Sequence, residues 1–354
     1  MTKPGKNIAK TSRARSDQSI RRQRPVRMVD VALIAGVSAI TVSRTLLTPE
    51  KVTPDTRRTV EKAIKKCGYL PNRVAGSLAA NRSHTVAVIV PTISNSLFAD
   101  TVQGITDLLE QHGYHVFLGT SNYDIKEEES LVSAFLERRA DAMVVTGVTH
   151  SPMTKRLLRN AGVPVVEMWN IAPRPIDTLI GFSNFEAARK MTLFLASRGY
   201  RNIGFLGGIT TNNDRTSDRE RGYLAALEEL GIAGVEKRIV RTPFDFRMGG
   251  AAIAELVSKN PSLDAVFAAS DVLAIGAILE CNRCGWSVPG KIAIAGMDDS
   301  ALGGQLSPKL TTVRIPRYEI GTVVGKHLIE RLRGQVNGKR IVDLGFEIVE
   351  RESA

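Results

Sequence analysis

From Thr85 onward the chain alternates short apolar runs with longer amphipathic ones, and no other feature restricts its fold so strongly. Strand candidates are Val86–Val90, His115–Gly119, Ala142–Val145, Val163–Met168, Ile203–Gly207, Ala265–Ala268 and Ile292–Ala295. Helical patterns separate them, among them Phe98–His112, Glu127–Arg139, Phe185–Arg198 and Asp218–Leu230. Consecutive parallel strands need a crossover, usually a helix, so this alternation predicts parallel sheets covered on both faces. The length fits two such doubly wound halves, with a first crossing between them near Phe182. In open α/β sheets ligands lie beyond the carboxyl ends of the strands, so a small-molecule site is expected there.

The segment ahead of this body differs in both charge and period. The chain carries a formal +12, yet residues 1–84 hold 18 Lys and Arg against 5 Asp and Glu, leaving the remainder close to neutral. A basic module on a neutral body suits a reader of polyanions such as DNA. Residues 1–26 form a basic arm too poor in apolar side chains to fold alone, expected to be disordered. Met28 to Leu47 reads as two helices meeting at Gly36, with Ala32 at the helix contact and Val42 as the anchor of the second helix. Val31, Ile34, Val37 and Leu46 are expected to face inward, and Ser38 to cap the second helix, which presents Ala39, Ile40, Ser43 and Arg44 outward. Thr53-Pro54-Asp55 opens a third helix, ending near Cys67-Gly68, with Val60, Ala63 and Ile64 inward. The result is an all-α helix-turn-helix headpiece over 27–70, followed at 71–83 by a short helical stretch around Ala75 and Leu78.

DVALIAGVSAITVSR, then GYLPNRVAGSLA, then PTISNSLFADTVQGI and Leu310-Thr311-Thr312 together resemble the lactose-repressor family of bacterial transcription regulators. The resemblance covers nearly everything beyond the basic arm. It implies a body like that of periplasmic sugar-binding proteins at 84–354, with lobe 1 at about 84–182 and 314–335 and lobe 2 at about 183–313 and 336–354. It also implies a homodimer on double-stranded operator DNA, and the absence of a C-terminal heptad run favours a dimer over a tetramer. Arg44 matches the position that bonds guanine bidentately, while Ala39 and Ile40 fall where relatives vary. Thr41 and Ser43 suit phosphate or turn bonding, and Arg27, Ser38, Asn72, Arg73 and Ala75 complete the expected DNA contacts. Leu78 matches a hinge leucine that wedges into the minor groove, and Gly76 within that segment disfavours a helix until DNA and a second hinge stabilise it.

For the cleft, Arg219 matches the arginine that binds sugar hydroxyls or acid groups in relatives, and Asp298 an aspartate near ligand hydroxyls. Asp271 follows Ser270 and reads equally as a helix cap. Asn95, Phe98 and Trp169 are candidate lining residues. VPVVEMWN, PIDTLIGFSNFEAAR and DLGFEI are especially similar to the gluconate-responsive branch, which implies a sugar-acid effector, gluconate or a keto or phosphorylated relative. Arg219 would then pair its carboxylate, with Arg215 and Arg317 nearby. No metal or cofactor is expected: Cys281-x-x-Cys284 lacks a second ligand pair, Gly204 to Gly208 does not fit a dinucleotide fingerprint, and the histidines do not group. Without a secretion signal or membrane-length apolar run, a cytoplasmic regulator away from membranes is expected, and not an enzyme. The same features leave open an activator, a corepressor-dependent regulator of another carbohydrate or purine operon, a sugar-acid binding protein, and a sugar-acid enzyme with a fused DNA domain.

Overall fold

The computed structural model describes residues 24, 26–69, 82–94, 97–232, 235–335 and 340–354. Most of the 1–26 arm, nearly all of the 71–83 hinge with Asn72, Arg73, Ala75 and Leu78, and Asn95 lie outside them. The chain divides into two compact units, Met1–Asn81 and Arg82–Ala354.

In the first unit, α1 (Met28–Ala35) and α2 (Ala39–Leu47) meet at an angle of 104°. Gly36 makes that turn possible: its φ of 64° is left-handed, where a Cβ is strained, and it lets the Val37 amide reach back to the Ala32 carbonyl at 3.0 Å. Ser38 then caps α2, its hydroxyl accepting from the Thr41 amide at 3.1 Å. α3 (Pro54–Cys67) starts from the Thr53 cap and ends at Gly68, again left-handed at φ 65°. Val31, Ala32, Val42, Val60, Ala63 and Tyr69 make the buried core. Ile34, expected inward, is instead 45% exposed. At about 100° per residue it falls off the stripe that Met28, Val31, Ala32 and Ala35 share.

The second unit contains two sheets. The first has strand order β11-β5-β4-β3-β1-β2, built from β1 (Thr85–Val90), β2 (His115–Thr120), β3 (Ala142–Thr146), β4 (Val165–Met168), β5 (Thr178–Gly181) and β11 (Ile341–Asp343), every neighbouring pair parallel. Its helices are α4 (Ala99–Glu110), α5 (Ile125–Glu137), α6 (Pro152–Arg159) and α11 (Arg317–Leu332). The second sheet, in order β12-β10-β9-β8-β6-β7, contains β6 (Ile203–Gly207), β7 (Ile239–Arg241), β8 (Ala265–Ala268), β9 (Ala293–Asp298), β10 (Thr311–Arg314) and β12 (Glu347–Val349). Only β12 runs antiparallel, against β10. α7 (Asn184–Ser197), α8 (Asp214–Glu229), α9 (Phe246–Lys259) and α10 (Asp271–Arg283) cover it.

The chain passes from the first lobe to the second between β5 and α7, returns between β10 and α11, and passes again between β11 and β12. The assignment of all of 336–354 to lobe 2 therefore needs correction: Ile341 to Asp343 extend the lobe-1 sheet beside Leu179 to Gly181. Unpaired strand edges seek partners, and this segment covers the one β5 would otherwise expose.

Lobe 1 also holds a buried titratable cluster. The protonated His150 ring donates from Nδ1 to Glu128 Oε1 at 2.7 Å, and its Nε2 lies 3.5 Å from Glu167 Oε1. Burial alone would lower the imidazole pKa, but the two glutamates outweigh it and hold it at about 9. A folded-state value above the ordinary 6.5 means the stabilisation is complete below about pH 6.5 and is lost as pH rises through 9. Urea unfolding followed from pH 6 to 10 is expected to show that decline for the body, and His150→Gln, which bonds without titrating, to flatten it; an equally steep decline in the variant would count against the cluster.

Candidate functional site

Two places concentrate functional side chains. In the headpiece, α2 presents Arg44 and Ile40 to solvent, Ile40 being 65% exposed, with Ser43 half-buried beside them. Thr41 turns to its own cap, its Oγ1 2.9 Å from Ser38 Oγ. Ala39, expected outward, is half-buried against the headpiece core, so the outward surface is narrower than its sequence suggests. Arg27 is exposed at the start of α1, where its amide donates to Asp30 Oδ2 at 2.8 Å. A capped helix with an arginine and an apolar side chain on its free face has the shape and chemistry of a major-groove reader.

The second place lies between the lobes. β4 delivers Trp169 at φ 75°, fully buried, edge-on to Phe98 at 4.9 Å and to Phe182 at 6.1 Å between ring centroids. Its indole Nε1 has no hydrogen-bond partner among the described residues. Across from this aromatic floor, Asn213 caps α8, accepting from the Thr216 amide at 3.3 Å, and so fixes which residues of the first turns face the cleft. Arg215 and Arg219, four residues apart, share one helix face. With Leu97, Phe98, Tyr123, Trp169, Asn213, Thr216, Phe244 and Ser270 they line a narrow cavity, about 360 Å³ when its space open to solvent is included. Tyr123 and Arg215 also border an adjoining cavity lined by Asp124, Glu128 and Asp214.

The arginines differ electrostatically. Arg215 Nη1 is 3.3 Å from Asp214 Oδ1. Arg219 is buried, donating from Nε to Asn184 Oδ1 at 2.8 Å and from Nη1 to the Ala269 carbonyl at 2.6 Å. No ion pair of Arg219 occurs among the described residues, and burial lowers its pKa despite the opposing pull of Asp298. A buried cation bonded to neutral groups beside a cavity has the chemistry to receive an anion. Tyr123 on the opposite wall has its phenol pKa raised by burial, against the attraction of the same two arginines.

The other predicted residues are engaged elsewhere. Asp271 does not line the cavity: its carboxylate accepts from Thr312 Oγ1 at 2.6 Å and from the Ser300 amide at 2.6 Å, and Ser270 rather than Asp271 caps α10. Asp298 sits behind Ser270, whose hydroxyl donates to its Oδ2 at 2.9 Å, and burial pushes its pKa up to about 7 against the attraction of Arg219. Arg317 ties the lobes, donating to Asp100 Oδ2 at 3.0 Å in lobe 1 and to the Asp298 carbonyl at 2.7 Å in lobe 2. Sequence reasoning passed over Leu97, Tyr123, Asn213, Thr216, Phe244 and Ser270 as cleft residues; only Asn213 and Ser270 carried a legible signal, as polar residues placed to cap the helices that follow. Among the described residues no group of His, Cys, Asp and Glu is arranged to hold a metal, and no single helix is long and apolar enough to cross a membrane.

A helix-turn-helix headpiece carried on a two-lobed, ligand-binding α/β body defines the class of bacterial DNA-binding regulators with a small-molecule sensor. Residues 27–72 match the model for bacterial regulatory proteins of the lacI family, and residues 192–354 that for a periplasmic binding protein-like domain. The HTH-type transcriptional regulator GntR of Escherichia coli K12 is 34% identical over 329 residues, covering 93% of this chain and 98% of the relative. IdnR of the same organism, also an HTH-type transcriptional regulator, is 32% identical over 330 residues, covering 92% and 98%. A LacI family transcriptional regulator from Silicibacter pomeroyi superposes with a TM-score of 0.88 at 31% identity, covering 93% of this chain and 99% of that one. The chain belongs to the lacI family of bacterial regulatory proteins, and it is a DNA-binding transcriptional regulator, not an enzyme.

Proposed function

We propose that the chain is a homodimeric repressor of sugar-acid utilisation genes, gluconate genes above all, released from a pseudo-palindromic operator by the sugar acid itself. The observation that carries the effector half is the placement of Arg215 and Arg219 on one face of α8, with Arg219 buried beside the cavity and not neutralised by a carboxylate within it. A carboxylate suits those guanidinium groups, and Trp169 and Phe98 offer apolar faces to the carbon chain of a polyol. The resemblance of VPVVEMWN and PIDTLIGFSNFEAAR to gluconate-responsive relatives narrows the anion to an aldonate or a keto or phosphorylated relative. For release, effector must favour the lobe arrangement that binds operator poorly, since equal affinity for both states shifts nothing.

Fluorescence anisotropy on promoter DNA flanking the chain's own gene, at fixed salt, tests the reading with gluconate, 2-ketogluconate and gluconate 6-phosphate. Specific binding weakened by one of them is expected. Specific binding that no sugar acid changes would remove the effector assignment, tightening by one would make it a corepressor, and the absence of specific binding would remove the operator. In the same assay Arg44→Ala is expected to weaken operator binding by about 1–3 kcal/mol while leaving binding to random DNA almost unchanged. An equal loss on both DNAs would make Arg44 a phosphate contact instead.

A further inference from the structure

α7 begins where the chain first enters lobe 2, and its first residue, Asn184, is fully buried. Its amide has two obligate neighbours. The Nδ2 group donates to the Trp169 carbonyl at 2.8 Å, and Oδ1 accepts from Arg219 Nε at 2.8 Å. A carbonyl only accepts and a guanidinium only donates, so the orientation of the amide is forced. Nδ2 also lies 3.2 Å from Asn170 Oδ1, and Asn170 Nδ2 in turn donates to Asp214 Oδ2 at 2.7 Å and Asp218 Oδ2 at 2.9 Å on α8. One buried amide thus ties the end of β4 in lobe 1 to the arginine-bearing helix of lobe 2.

A carboxylate at 184 would be nearly the same size and would still accept from Arg219. It would present no hydrogen to the Trp169 carbonyl, and it would neutralise the guanidinium. We infer that Asn184 is a positioning residue that orients the Arg219 head while leaving its charge unspent, which makes the cleft select an anionic sugar derivative over the neutral polyol of the same skeleton. The same amide bonds the Trp169 carbonyl, and Trp169, whose indole Nε1 has no partner among the described residues, also lines the cavity. A guanidinium bonded to an amide and a carbonyl, with Asp298 acting on it only at longer range, keeps more of its attraction for an incoming carboxylate than one already paired with a carboxylate.

This inference rests on the sugar-acid reading above, and its test separates the two. Isothermal titration of the full-length protein is run with gluconate directly and with glucitol, which has the hydroxyls without the carboxylate, by displacement. In Asn184→Asp, gluconate affinity is expected to fall about tenfold or more and glucitol affinity by much less, because the new carboxylate opposes only the ligand's charge while the lost bond to the Trp169 carbonyl affects both ligands alike. A purely structural role for Asn184 would weaken both ligands alike, and that result, or unchanged gluconate affinity, overturns the inference. If Asn184→Asp does not fold, Asn184→Ser decides: its side chain is too short to hold Arg219, so gluconate affinity should drop about fivefold or more with unliganded operator binding retained, and unchanged affinity overturns the inference. A wild-type protein that binds none of the sugar acids would defeat the effector reading and this inference with it, before any variant is measured.

Discussion

With gluconate as the proposed effector, Arg219→Ala is expected to leave the protein bound to its operator at concentrations that release the wild type. Removing the guanidinium deletes a desolvated, charge-assisted contact to the ligand carboxylate, a loss of about 3–5 kcal/mol, which is roughly a hundredfold or more in affinity. The cost to folding should be smaller. The variant leaves Asn184 Oδ1 and the Ala269 carbonyl without their donor, but it also removes the burden of burying a cation. Titration calorimetry for gluconate and anisotropy for operator, each beside a thermal melt, read these effects separately. Arg219→Lys should recover only part of the affinity, because an ammonium keeps the charge and lacks the fork that meets a carboxylate with two bonds. Wild-type gluconate affinity in Arg219→Ala would show that the carboxylate is read elsewhere, Arg215 being the first alternative.

How far such a site is legible in advance follows from what each residue does. The long central strands and the helices between them could be read from period and length, because burial on both faces demands continuous apolar runs. The strands passed over, Thr178–Gly181, Ile239–Arg241, Thr311–Arg314, Ile341–Asp343 and Glu347–Val349, are only three or four residues long. They are specified by the neighbours they pair with, Ile341 to Asp343 by β5 most plainly, and so leave little local pattern. Arg219 was legible through the family resemblance of its position before Gly222, and Arg215 only as a further cation near it, since charge on a helix by itself reads as a solvated face. Asn184 was not: a single asparagine after a serine cap reads as part of the helix start, and only the fold brings the Trp169 carbonyl and Arg219 to its two ends. Tyr123 and Phe244, whose rings approach to 6.4 Å, stand on loops from different lobes, where no periodicity points to a shared cavity. Asp271 misled for the opposite reason: an acid after a strand resembles a ligand contact, yet Thr312 and the Ser300 amide take its oxygens.

Gly222→Ala is expected to damage both the fold and the sensor, because α7 and α8 meet there backbone to backbone. A Cβ on Gly222 would stand 2.2 Å from the Phe185 carbonyl oxygen and 3.0 Å from the Arg189 amide nitrogen. No rotamer relieves a methyl pressed on main chain, so the helices must separate. Alanine gains about 1 kcal/mol of helix propensity over glycine, and overpacking of this kind costs typically 1–3 kcal/mol or more, so a net loss is expected. Gly304→Ala is the control: nothing lies within 4 Å of its added Cβ, and its stability should match the wild type. Separation of the helices also moves Arg219, on α8, away from Asn184, on α7, across a bond that is now 2.8 Å. Gluconate affinity should therefore fall in Gly222→Ala by more than the loss of folded protein accounts for, and urea unfolding with titration of the folded fraction measures the two parts. A variant as stable as Gly304→Ala with unchanged gluconate affinity would mean that the α7–α8 contact neither limits the fold nor sets the position of the arginine.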